Sequence, residues 1–198
     1  MSSTHTSMIV LAVVVVLVAV AAFVWAVAYK RRRSLRLKQR FGAEYNRAVD
    51  QLGGQSAAEA ELSKRETRVA KLKIRRLTAE EAAHFGEAWS RVQGQFVDAP
   101  NAAVAEADKL VRELMTTRGY PMGDFEHRAA DISVDHPTVV TAFRAAQAIA
   151  IKDASGAANT EELRKAIVHY RTLFSELLET DARPMSERRK QRNVAVQS

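Results

Sequence analysis

Apolar residues form one unbroken block near the N-terminus. Residues 8–29, MIVLAVVVVLVAVAAFVWAVAY, contain 22 residues without a charge, and 13 of these are Val, Ile, Leu or Phe. A helix that rises about 1.5 Å per residue would extend this block over roughly 33 Å, and a bilayer core is about 30 Å thick. Insertion of the 13 side chains is favourable by roughly 4 to 8 kcal/mol. The pattern predicts a short N-terminus and a transmembrane helix within residues 1–29.

Positive charge follows the apolar block at once. Because positive flanks stay in the cytoplasm, we expect a single-pass cell-membrane protein with its N-terminus outside and its C-terminal domain inside. Bases near an anionic leaflet are also attracted to it, so these side chains are candidates for membrane-surface contact. A signal that sets topology and has no later role is the alternative. Residues 30–40 carry seven bases and no acid: Lys30, Arg31, Arg32, Arg33, Arg36, Lys38 and Arg40.

A cleaved secretory signal is another interpretation of the same segment. Ala26-Val27-Ala28 resembles an A-x-A cleavage site, and cleavage there would give a secreted protein. However, residues 1–7 contain no Lys or Arg, and the apolar block is longer than the core of about 7 to 15 residues in such signals. Length and flanking charge therefore favour an uncleaved anchor.

Residues 30–77 predict a basic juxtamembrane helix and a peripheral helix. The first runs to about residue 52 and is broken by Gly53-Gly54. If it lay on the bilayer, Leu35, Leu37 and Phe41 would dip toward the acyl chains. A capping box at Ser56-Ala57-Ala58-Glu59 opens the second helix, whose apolar stripe is narrow.

Residues 78–180 predict four long helices and one short helix, which is enough for a small helical bundle. Capping boxes at Thr78–Glu81 and Asn159–Glu162 open its first and last helices. Trp89 is expected to face the interior. The last helix has the clearest apolar face, which consists of Leu163, Ala166, Ile167, Tyr170, Phe174, Leu177 and Leu178.

Single residues predict where the helices between the first and the last helix of the bundle begin and end. Asp98, Asp124 and Asp135 are suited to cap the starts of the next three helices. Gly119 is placed to end one helix in the left-handed conformation. Beyond the bundle, residues 181–198 are polar and basic, and we expect a disordered tail. The fold class is all-α: one N-terminal transmembrane helix, a basic juxtamembrane helix and a small cytoplasmic helical bundle.

Composition excludes several classes of site. The chain of 198 residues has no cysteine, which excludes disulfides, thiolate metal sites and a cysteine nucleophile. The formal charge is +7, yet residues 41–180 contain 18 bases and 21 acids, so the basicity lies at the two ends. A nucleic-acid-binding face would make the middle basic, and we therefore expect a lipid bilayer and a protein as partners rather than nucleic acid.

The densest polar cluster is GYPMGDFEHRAADISVDHP, residues 119–137. His127 and Asp131 would share a helix face, and Asp135 and His136 follow, so two His and two Asp are possible metal ligands. The helix caps already account for Asp135, and no third well-placed ligand accompanies the pair. We therefore predict no metal site.

No other motif indicates catalysis or a cofactor. His84 and His169 stand alone on amphipathic helices, without metal-ligand or triad spacing. The chain has no glycine-rich phosphate loop and no G-x-S-x-G elbow. We predict no catalytic residue and no cofactor.

Four stretches carry a resemblance to a known family: RFGAEYNRAV at 40–49, LTAEEAAHFGEAWSRVQGQFVDAP at 77–100, FEHRAADISVDHPTVV at 125–140 and LRKAIVHYRTLFSELL at 163–178. The chain resembles an uncharacterised family of single-pass, membrane-anchored helical proteins of actinobacteria. The resemblance covers most of the chain after the anchor and implies the same topology. It implies no activity and no functional residues.

The expected function is a membrane-tethered interaction or scaffold module at the cytoplasmic membrane face. An enzyme with an unrecognised helical active site is one alternative, and a deep polar pocket would favour it. An electrostatic module that binds anionic lipid or nucleic acid is the other.

Overall fold

The structure, a computed structural model, describes the backbone of residues 2–178 and the side chains of residues 17–178. Over this range the fold is all-α, as predicted, with eight helices and no strand. The helices are α1 (Ser2–Phe41), α2 (Ala43–Leu52), α3 (Gln55–Val69), α4 (Ala79–Gln95), α5 (Pro100–Arg118), α6 (Phe125–Asp135), α7 (Val140–Ala154) and α8 (Thr160–Leu177). The predicted tail at 181–198 lies outside the described residues.

Helix α1 continues through the basic segment as far as Phe41. The prediction of one juxtamembrane helix from 30 to 52 is wrong, because α1 ends before Gly42 and α2 begins after it. No glycine or proline interrupts residues 2–41, so nothing in the sequence stops the helix earlier. Gly42 has a φ of 51°, which residues other than glycine rarely adopt, and this explains why the break between α1 and α2 lies at this residue. The predicted break at Gly53 is confirmed, with a left-handed φ of 70°.

No helix among the described residues combines the length and the apolar content that a membrane crossing needs. The predicted span, 8–29, begins before the range of described side chains, which starts at residue 17.

Capping signals that act over three residues are confirmed. Thr78 and Asn159 each accept a hydrogen bond from the backbone N–H three residues later, and Glu81 and Glu162 return the bond. Asp124 caps α6 as predicted. These interactions are local, so the sequence alone specifies them.

The predicted caps of α3 and α5 are wrong. Helix α3 begins one residue before Ser56, with Gly54 at its N-cap and no capping box. Ala99 rather than Asp98 precedes α5, and Pro100 starts that helix. Proline at the first helical position is favourable without a side-chain cap, because its missing N–H would have no intrahelical partner there.

Two clusters of buried apolar side chains hold the helices together. The larger cluster lies mainly within α4–α8. The smaller cluster joins α1, α2 and α3, and α6 contributes one residue to it. Its members are Leu37, Phe41, Tyr45, Ala48, Ala58, Leu62, Val69 and Val134.

The smaller cluster corrects the prediction for the apolar residues of the basic segment. Leu37 and Phe41 are fully buried within the protein, so the expectation that they dip toward acyl chains is wrong. Leu35 alone of the three is exposed. The narrow stripe of α3, with Ala58 and Leu62, packs in the same cluster, so two weakly apolar helix faces bury each other.

The predicted face of α8 is confirmed. Its residues from Leu163 to Leu177 at the predicted positions are buried, and Leu173 joins them. Trp89 of α4 is also buried, and its ring stacks on Phe174 with centroids 4.7 Å apart. The α4–α8 bundle therefore has a continuous core.

Candidate functional site

The described apolar part of α1 has no protein covering. Every residue from 17 to 29 is exposed, with Phe23 at 70 % and Trp25 at 71 %. The rings of Trp25 and Tyr29 stack with centroids 5.7 Å apart at the end that adjoins the bases. Exposed apolar surface of this extent marks an interaction site.

The seven predicted surface bases divide into two sets. Lys30, Arg31 and Arg32 are exposed, and none of them has an ion pair within the described residues. The remaining four contact other parts of the protein: Arg33, Arg36, Lys38 and Arg40.

Helix α3 supplies polar partners to three members of the second set. Arg33 donates to the Ser63 hydroxyl oxygen at 2.7 Å. Arg36 and Arg40 both pair with Glu66, at 3.1 and 3.0 Å. Glu66 thus lies between two guanidinium groups, and its negative charge is compensated on α1.

The two bases nearest the end of α1 also contact α6 and α2. Arg40 donates to the carbonyl oxygen of Val134 in α6 at 3.3 Å, and Lys38 lies 5.3 Å from the ring centroid of Tyr45. At about 1.5 Å per residue they are roughly 14 to 16 Å along the helix from Tyr29. Of the seven bases predicted to contact the membrane surface, Lys30–Arg32 are therefore the ones without polar or ring contacts to α2, α3 or α6 among the described residues.

A groove between α1 and α3 brings three arginines together with three side chains that carry a hydroxyl group. Its volume is about 450 Å³. Guanidinium and hydroxyl groups are hydrogen-bond donors suited to an oxyanion. We call it the basic groove, and its lining residues are Tyr29, Arg32, Arg33, Arg36, Ser63, Glu66 and Thr67.

An adjoining groove on α1 is mainly apolar. It measures about 400 Å³ and includes Val27, Leu35 and Gln55. Lys30 and Arg31 lie along it, so apolar and basic side chains share one face of α1 over two turns. Both grooves therefore lie where the apolar block meets the basic segment.

A buried carboxylate fixes the helices around these grooves. The Glu59 carboxylate accepts hydrogen bonds from Tyr45 at 2.9 Å and from Gln55 at 2.8 Å, and Gln55 also donates to Ser34 of α1 at 2.8 Å. Burial opposes ionisation, but hydrogen bonds from Gln55, Ser34 and Tyr45 hold the pKa of Glu59 below its ordinary value. The network links α1, α2 and α3 and so fixes the grooves between them.

The polar cluster at 119–137 does not assemble into one site. Within the described chain, no group of three or more His, Asp or Glu side chains is placed to hold a metal ion. The four candidate ligands have separate partners: His127 contacts Asp124, Asp131 contacts Arg68, Asp135 contacts Tyr120 and His136 contacts Glu176.

The predicted cap at Asp135 is wrong for a tertiary reason. Asp135 is the last residue of α6, and Val139 stands at the N-cap of α7. The Asp135 carboxylate accepts from the Tyr120 hydroxyl at 3.3 Å. Burial and the negative charge of Asp135 raise the pKa of Tyr120.

The ion pair between Arg68 and Asp131 joins the smaller cluster to the bundle. Asp131 is 2 % exposed, and the Arg68 Nε and Nη2 atoms donate to the same carboxylate oxygen at 2.8 and 2.5 Å. No pattern in the sequence indicates the pair, because its members are 63 positions apart and Arg68 is one of several bases on α3.

Replacing Arg68 with alanine is expected to destabilise the protein by about 1 to 3 kcal/mol, because a buried carboxylate loses its charged donor. The measurement is denaturant unfolding of the full chain in mild detergent. Lys64→Ala on the exposed side of the same helix is the control and should change the free energy of unfolding by less than about 0.5 kcal/mol. Equal effects of the two substitutions would contradict a structural role for the pair.

Comparisons with protein families, with curated proteins and with solved structures find no match to this chain. The resemblance to the actinobacterial family stays a prediction.

Proposed function

We propose that this protein is a membrane-tethered helical module, in which α1 anchors the chain and the α4–α8 bundle acts at the cytoplasmic face as an interaction or scaffold module. The observation that carries the proposal is the exposure of every residue from 17 to 29, directly before three bases that have no ion pair among the described residues. A helix that is apolar on all sides requires a covering on all sides, and lipid provides one.

Length and charge support the tether. Residues 8–16 continue the apolar composition toward the N-terminus, and the backbone of α1 is helical throughout Ser2–Phe41. A helix over residues 8–29 would be roughly 33 Å long, compared with about 30 Å for a bilayer core. The seven bases of residues 30–40 favour an orientation with the bundle in the cytoplasm.

The arrangement of the two clusters supports a role in protein interaction. The bundle has its own core, and the ion pair of Arg68 with Asp131 and the hydrogen bonds of Arg40 to Val134 link it to the anchor-bearing helices. A folded body held at a fixed distance from the bilayer can present its surface to a membrane-associated protein. Affinity capture of the full chain in mild detergent would identify that partner.

Two arginines in the exposed apolar surface test the tether. Replacing Val18 and Val20 with arginine is expected to release the protein from the membrane. Each arginine near the centre of a span costs about 2.5 to 3.5 kcal/mol, so the pair offsets most of the roughly 4 to 8 kcal/mol that favours insertion. The measurement is the fraction of the protein that stays in the membrane pellet after alkaline extraction.

The matched control places the same two substitutions on exposed valines of the bundle region, Val97 and Val168. This control should stay in the pellet with the unmodified protein. Release of the unmodified protein, or retention of the Val18→Arg, Val20→Arg variant, would contradict the tether. A reporter that works only in the cytoplasm, fused after Ser198, should be active, and activity of an extracytoplasmic reporter would contradict the orientation.

A further inference from the structure

We propose that the basic groove binds the phosphate group of an anionic phospholipid of the membrane that holds α1. The proposal rests on the proposed function, because it takes the tether as given and names the lipid class and the site. The groove of about 450 Å³ is large enough for a phosphate with its attached headgroup.

Charge in the basic groove favours an anion. Arg32 has no ion pair within the described residues and is free to bind an anion. Glu66 is the acid in the lining, but its side chain is 16 % exposed and pairs with Arg36 and Arg40. The three arginines of the lining therefore leave a net positive site.

Hydroxyl geometry adds a donor that surface charge alone would not supply. The Ser63 oxygen accepts a hydrogen bond from Arg33 at 2.7 Å, so the Ser63 hydrogen remains free to donate to a phosphate oxygen. The Thr67 hydroxyl donates to the Ser63 carbonyl at 2.9 Å and is already used. Ser63 thus holds one guanidinium in place and offers its own hydrogen to the same ligand.

Position along α1 selects a phospholipid over a free anion. Trp25, Tyr29, Arg32 and Arg36 follow one another at spacings of three and four residues, so they share one face of the helix. Arg32 and Arg33 are about 4.5 to 6 Å beyond Tyr29, which is within the headgroup layer of a bilayer. A lipid with its phosphate in the groove can place its acyl chains along the exposed face of α1, from Trp25 toward the N-terminus.

The test measures lipids retained by the full chain. The protein in neutral detergent is titrated separately with short-chain phosphatidylglycerol, short-chain phosphatidylcholine and inorganic phosphate, and native mass spectrometry counts the bound molecules. We expect one phosphatidylglycerol to be retained at a concentration about fivefold below that needed for phosphatidylcholine, because about one arginine contact distinguishes the net charges of the two lipids. Retention of phosphate as strong as that of phosphatidylglycerol would overturn the lipid assignment, as would equal retention of the two lipids.

Matched variants separate the groove from general surface charge. Arg32→Gln with Arg36→Gln should weaken phosphatidylglycerol retention about 30-fold, whereas Arg91→Gln with Arg171→Gln removes the same charge from the bundle and should change it less than about twofold. Circular dichroism of both variants verifies the fold, and Arg40 still pairs with Glu66 when Arg36 is replaced. Equal loss in the two double variants would overturn the proposal.

A variant without a change in charge gives a second, independent measurement. Ser63→Ala removes the free hydroxyl donor and should weaken retention at least about tenfold, since a hydrogen bond to a charged group is lost. Unchanged retention would overturn the assigned geometry. Alkaline extraction distinguishes the failure of this proposal from failure of the tether: the Arg32→Gln, Arg36→Gln variant should remain in the membrane pellet.

Discussion

Replacing Phe174 with alanine is expected to destabilise the protein by about 3 to 5 kcal/mol. Phe174 is 2 % exposed, and its ring stacks on Trp89 with centroids 4.7 Å apart. Truncation would leave a cavity between α4 and α8, since a close-packed core collapses only in part around a missing ring. The loss would remove much of the stability of a domain of this size.

Denaturant unfolding of the full chain in mild detergent, followed by circular dichroism, gives the free energy of unfolding for this variant. Val168→Ala on the same helix removes an exposed side chain and should cost less than about 0.5 kcal/mol. If Phe174→Ala were as stable as this control, the burial of the α8 face would be contradicted.

Replacing Gly119 with alanine is expected to destabilise the protein by more than about 2 kcal/mol, since strain and a backbone clash act together. Gly119 ends α5 with a φ of 94°, and a Cβ atom there would lie 2.6 Å from the carbonyl oxygen of Lys73. The loop at Lys73 cannot move away freely, because the Arg75 N–H donates to the Arg118 carbonyl at 2.8 Å and the Arg118 Nε donates back to the Arg75 carbonyl at 3.2 Å.

Gly53→Ala is the matched control for this second prediction. Gly53 also ends a helix in the left-handed conformation, with a φ of 70°, but no atom lies within 4 Å of the added Cβ. Gly53→Ala should lower the free energy of unfolding by the backbone strain alone, about 1 to 2 kcal/mol. The difference between the two variants in denaturant unfolding measures the clash, and equal losses would show that the loop at Lys73 adapts.

Local chemistry explains why some features could be predicted from the sequence. The capping boxes that begin at Thr78 and Asn159 and the left-handed end at Gly119 depend on residues within one turn of each other. The buried face of α8 follows from the spacing of its own apolar residues. Such features need no knowledge of the neighbouring helix.

Partners distant in the sequence explain the errors. The basic segment around Leu37 and Phe41 predicts contact with lipid if that helix lies on the bilayer, whereas α2 and α3 bury both side chains. Asp135 is of a residue type that often caps helices, but the fold brings Tyr120 to it and places Val139 at the start of α7. Hydrophobic periodicity shows that a face is buried and does not identify what buries it.

The same distinction between local features and partners distant in the sequence applies to the candidate site. The sequence by itself determined the all-α class, the helices of the bundle and the position of seven bases directly after an apolar block, because composition and short-range periodicity are enough for these. Only the tertiary structure decided which bases are paired, since Glu66, Ser63 and Val134 are 26 to 94 positions away from the arginines that they bind. The groove between α1 and α3 exists because two narrow apolar stripes bury each other, and packing between helices, unlike the helices themselves, depends on contacts that no local pattern specifies.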